Sequence, residues 1–106
     1  MGVKVYWTQF AKKELKGIFE YHKENASVKI AAQIVKRIVD KANTTAIFPK
    51  AGANEELLVM WPQGFRFVVS TNYKIVYWFN EPKNRIEIVD VFDTRQNPVK
   101  MGRSNT

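Results

Sequence analysis

The apolar residues Ala31, Ile34, Val35, Ile38, Val39 and Ala42 follow one another at intervals of 3, 1, 3, 1 and 3. An α-helix gathers those positions on one face, so this stretch must bury a stripe against something else. Past Gly52 the pattern changes. Residues 65–71, 73–80 and 85–92 are β-branched and aromatic runs, parted by a reversal at Ser70-Thr71-Asn72 and a turn at Glu81-Pro82-Lys83-Asn84. Helical texture followed by strand texture within 106 residues predicts an α+β fold.

The remaining segments complete the plan. Residues 3–7 read as a strand, and Thr8 caps a helix over 9–25 whose apolar side carries Ala11, Leu15, Ile18, Phe19 and His22. Lys12, Lys13, Glu14, Lys16, Glu20, Lys23 and Glu24 cover its other face. Asn25-Ala26-Ser27 breaks that helix, and Ser27 caps a second one running to about Ile47, closed by Pro49 and Gly52. So short a link predicts an antiparallel helical hairpin. The run Leu57-Leu58-Val59-Met60-Trp61, stopped by Pro62-Gln63-Gly64, is expected to be a further strand. The expectation is an N-terminal strand and a hairpin packed on one face of a mostly antiparallel sheet of four to five strands. Residues 1–106 form a single domain, with 102–106 a small polar tail expected to fray.

Charge narrows the class of partner. Lys and Arg number 17 against 10 acidic residues, a net +7, which suits a polyanion such as nucleic acid or an acidic protein segment. Without cysteine there are no disulfides or thiolate metal sites, and one His leaves only carboxylates, so neither a metal nor a cofactor is expected. The start of the chain has no long apolar stretch of the secretory kind, and no run approaches the ~20 residues of a membrane span. A cytoplasmic protein with no membrane association is expected.

Several stretches, in order along the chain, resemble one family. They are Trp7-Thr8 with Ala11, Leu15, Ile18 and Tyr21; Ala31 and Ile38; Pro49, Gly52 and Glu55-Glu56-Leu57; Arg66-Phe67-Val68-Val69; Tyr73-Lys74-Ile75-Val76-Tyr77; and the exit from Ile88 through Asp93-Thr94-Arg95 to Pro98. Together they resemble the RelE/ParE toxin superfamily of type II toxin–antitoxin systems, on its ParE-like, plasmid-stabilisation branch. The resemblance implies a growth-arresting toxin neutralised by a cognate antitoxin, as a homodimer or as a toxin–antitoxin heterotetramer. It implies one of two targets: messenger RNA on the ribosome, which is cut, or DNA gyrase, which is bound and stalled.

Cutting RNA without a metal needs a base, a cation beside the phosphate and an acid for the leaving oxygen. By resemblance the catalytic candidates are Lys74 on a central strand, Arg66 opening its neighbour, and Arg95 just beyond the last strand. Each has a structural alternative. Lys74 leaves the sheet face that Tyr73 and Ile75 do not fill, where its long stem can lie along the surface. Arg66 can pair with Asp90 or Glu87, and Arg95 can tie down the chain exit through Asp93 or Asp90. His22 reads as a partly buried helix residue, and Trp61 and Trp78 as packing residues. The family's ribonucleases often carry a Tyr or His near the C-terminus, but here nothing after Tyr77 is either, and Pro98-Val99-Lys100-Met101 fills that region. A general acid would then have to be water or a carboxyl with a raised pKa, the candidates being Glu87, Asp90 and Asp93. Three readings follow: a gyrase-binding toxin without an active site, a ribonuclease using Lys74, Arg66 and Arg95, or a degenerate, non-toxic binding module.

Overall fold

The computed structural model describes residues 2–95, so the expected tail at 102–106 lies outside the described residues. Strand β1 (Lys4–Trp7) leads into helix α1 (Gln9–Asn25) and helix α2 (Val28–Thr44). A two-residue strand β2 (Ala53–Asn54) precedes three longer ones, β3 (Arg66–Ser70), β4 (Tyr73–Asn80) and β5 (Arg85–Asp93). They form one five-stranded sheet in the order β1-β5-β4-β3-β2. All neighbours are antiparallel except β1, which runs parallel to β5 with Lys4 opposite Arg85 and Trp7 opposite Ile88. This is the α+β plan that the change of period foretells.

Both helix starts are set by hydroxyl caps. Thr8 Oγ1 accepts the Ala11 N–H at 3.1 Å, and Ser27 Oγ accepts that of Ile30 at 3.1 Å. Each satisfies a donor that the first turn leaves open. Between the helices, the Ala26 and Ser27 amides both donate to the His22 carbonyl, which turns the chain back on itself. α2 stops at Thr44, short of the expected Ile47. There the buried Thr45 hydroxyl donates to the Ala42 carbonyl at 2.6 Å, and Pro49 disfavours helix in the residue before it.

β4 divides the molecule. Tyr73, Ile75 and Tyr77 face the helices and join Ala11, Ile38, Ala42, Ile86, Ile88 and Val91 in the main core. Val76 belongs to the opposite face, where Leu58, Phe65 and Phe92 pack with it and with Phe67, Trp78 and Val89. One extra residue, Val89, interrupts the β4–β5 ladder, since Val76 pairs with Asp90 and Tyr77 with Ile88. That bulge lets Val91 return to the helix side on which Ile86 and Ile88 already lie.

The expected strand at 57–61 is not one. Glu56–Leu58 is a single 3₁₀ turn, only Leu58 is buried, and Met60 is 91% exposed. The segment satisfies its own backbone: Leu58 donates to Glu55, Val59 to Glu56 and Trp61 to Leu58. Ala53 and Asn54 instead take the outer edge of β3 opposite Phe67 and Arg66.

The crossing from helices to sheet depends on one buried hydroxyl. Tyr77 Oη donates to the Pro49 carbonyl at 2.8 Å and accepts the Gly52 N–H at 3.1 Å. A Cβ on Gly52 would lie 2.5 Å from that oxygen and 2.8 Å from the Phe67 carbonyl oxygen, so no larger residue fits.

Tyr77→Phe strands a carbonyl and an amide inside the protein, at a cost of about 1–3 kcal/mol. We expect a lower midpoint in urea and in thermal unfolding with the far-ultraviolet dichroism unchanged; an unshifted midpoint would remove the hydroxyl from this role. Burial also raises the phenol pKa of Tyr73 and Tyr77. Their stabilising contribution is complete below the ordinary tyrosine value of about 10 and is lost as pH rises beyond it. Ultraviolet titration should show Tyr73 and Tyr77 ionising above that value, and unfolding midpoints should fall over the same alkaline range.

Candidate functional site

The three cations singled out in the sequence lie apart. Lys74 projects from the face of β4 away from the helices, and its Nζ is 2.7 Å from Glu55 Oε1 and 4.0 Å from the centre of the Phe67 ring. Only 19% of the Lys74 side chain and 2% of the Glu55 side chain are exposed. Glu55 Oε2 also accepts the Leu57 N–H, so this buried pair fastens the start of the 3₁₀ turn to the sheet.

Arg66 points the other way. It stands opposite Tyr77, and cross-strand partners share a face, so it lies on the helix side. Its Nη1 donates to the Gly52 carbonyl at 2.9 Å, not to Asp90 or Glu87 as the sequence suggested. Glu87 is held instead by Arg85 at 2.6 Å and by Asn80 at 3.1 Å.

Arg95 lies past the end of β5, beside Tyr73. Tyr73 and Tyr77 are four residues apart on β4, which sets Arg95 roughly 13 Å from Arg66 along the strand direction. Arg95 grips Asp93 with Nε at 2.9 Å and Nη2 at 2.6 Å, the tie at the chain exit that its spacing suggested. That grip holds the Asp93 carboxyl below its ordinary pKa, the reverse of what a general acid needs.

What the structure does assemble is a cleft of about 330 Å³ between α1 and the end of β5, lined by Lys13, Gly17, Ile18, Tyr21, Tyr73 and Arg95 among others. Behind it, His22 Nε2 and Tyr73 Oη are 2.7 Å apart. The sequence put His22 on the apolar side of the first helix and Tyr73 on the sheet face opposite Lys74, without joining them. The two alternations taken together were the available signal. The region 98–101, from which a C-terminal acid is missing, lies outside the described residues.

Lys74→Ala leaves Glu55 charged and buried, and is expected to cost about 3–5 kcal/mol of stability. Lys74→Met combined with Glu55→Leu should recover most of that in urea unfolding. A Lys74→Ala chain as stable as the parent would show that the pair is not structural.

A family model described as the ParE toxin of the type II toxin–antitoxin system, parDE, matches residues 5–98. Among solved structures, a chain from "Chromosomal ParDE TA system from P. aeruginosa" superposes with a TM-score of 0.72 over 88% of this chain and 97% of that one. Its 16% sequence identity makes this a likeness of fold. No curated protein matches. Among the described residues no helix is long and apolar enough to cross a membrane. With almost the whole described chain inside the family model, and with strand, hairpin and sheet in that order, the chain belongs to the ParE toxin family of type II toxin–antitoxin systems.

Proposed function

We propose that this toxin acts in the cytoplasm by binding DNA gyrase, has no active site of its own, and is neutralised by an acidic antitoxin. The dispersal of its cations carries the reading. Lys74 is locked to Glu55, Arg66 is bound to the Gly52 carbonyl on the opposite face, and Arg95 is clamped to Asp93. A single phosphate could not reach all three at once, which supports a reading without a ribonuclease cluster built from them. One observation favours the ribonuclease reading in another form: the hydrogen-bonded His22–Tyr73 pair lies behind the cleft that Arg95 lines.

For the antitoxin, we place its amphipathic segment in the groove of about 360 Å³ lined by Val5, Tyr6, Trp7, Lys12, Leu15 and Val39. This groove adjoins β1, the terminal strand of the sheet, whose outer edge is open to pairing among the described residues. Lys12 and the net +7 of the chain suit an acidic partner.

Induced expression should arrest growth, and co-expression of the adjacent small open reading frame should relieve it. Arrest with an SOS response and intact transcripts is the expected outcome. New cuts within codons, mapped by primer extension, would overturn the gyrase reading, and normal growth would overturn toxicity altogether. In the complex, hydrogen exchange should slow at Lys4–Trp7; unchanged exchange there would move the antitoxin elsewhere.

A further inference from the structure

We propose that the cleft between α1 and the end of β5 binds a nucleotide, its base against Tyr21 and Gly17 and its phosphate towards Lys13 and Arg95. Tyr21 is the platform. It is 60% exposed, yet its ring is not loose: it meets His22 edge-on at 5.1 Å, and His22 in turn meets Tyr73 edge-on at 6.1 Å and by the 2.7 Å hydrogen bond. An exposed aromatic ring oriented from behind is what stacking on a base requires.

Gly17 points the same way. Glycine is the least favourable helix-interior residue after proline, and this one sits in the middle of α1. A Cβ there would meet nothing within 4 Å, so no neighbour in the fold demands its absence. It lies one turn from Lys13 and one turn from Tyr21 on the same stripe, where a bare backbone lets a flat group approach closely.

Two cations, Lys13 and Arg95, line the cleft beside two carboxylates, Glu14 and Asp93. Lys13 makes no ion pair among the described residues. Arg95 uses Nε and Nη2 on Asp93, which leaves Nη1 and the guanidinium face for a ligand. The volume of about 330 Å³ is at the small end of ligand sites, room for one nucleotide unit. That unit is either a free nucleotide or one link of a single strand, which present the same chemistry.

The full chain, isotopically labelled, is titrated with each of the four ribonucleoside 5′-monophosphates, with ribose 5-phosphate, and with a short single-stranded oligonucleotide. Amide shifts should gather at Lys13, Gly17, Tyr21 and Arg95, and the monophosphates should bind roughly tenfold or more tightly than ribose 5-phosphate. Gly17→Leu fills the notch without straining the helix; it should raise the thermal midpoint and lower nucleotide affinity roughly tenfold or more. Lys13→Gln should weaken binding of every probe. Equal affinity for monophosphate and oligonucleotide identifies the free nucleotide, and tighter binding of the oligonucleotide identifies the strand; both support the site. Shifts elsewhere, ribose 5-phosphate binding as tightly as the nucleotides, or undiminished binding by the Gly17→Leu chain would overturn it.

Discussion

A chain that passes from helices to sheet must carry backbone amides and carbonyls across the interface between the two layers, where water is scarce. Here one phenol answers that demand. Tyr77 reaches from the central strand to Pro49 and Gly52, and Arg66 takes the remaining Gly52 carbonyl. The connection is thereby pinned where β2 begins, and β2 in turn sets the outer edge of β3. The helix-facing core depends on that pinning, because it places the end of α2 over Ile75 and Tyr77.

The same strand organises the charge. Its helix-facing residues are apolar or phenolic, whereas Lys74 on the other face is drawn into the cover formed by Glu55 and Leu58. A lysine on a central strand thus became part of the fastening of a loop. A basic residue on a central strand is therefore not by itself grounds for assigning catalysis to it. A motif states which residue occupies a position; the partner across the sheet decides what that residue does.

Much of the fold was legible because short-range patterns dictate it. Thr8 and Ser27 announce their helices, the 3-and-1 spacing from Ala31 to Ala42 marks the buried face of α2, and the turn residues bracket β4 and β5. What escaped was set by distant partners. The apolar run from Leu57 to Trp61 reads as a strand until Ala53 and Asn54 are seen to take the outer edge at the start of β3 in its place. The separation of Lys74, Arg66 and Arg95 follows from strand parity and a hairpin register, which no local spacing displays. The His22–Tyr73 contact joins residues 51 positions apart. Parity assigns each a face but does not say that the two meet.

The parallel pairing of β1 with β5 bears on the order in which the chain acquires its structure. Helices α1 and α2 rest on neighbours in sequence and can form early, whereas Lys4 waits for Arg85. During synthesis the first strand therefore emerges long before the last one that will hold it, and it stays without its ladder until β5 has been made. The sheet closes as a late, long-range event, whose rate is governed by the entropy of bringing distant segments together. A toxin built this way has no complete sheet until residues 85–93 have left the ribosome, so a shorter nascent chain cannot present the finished fold.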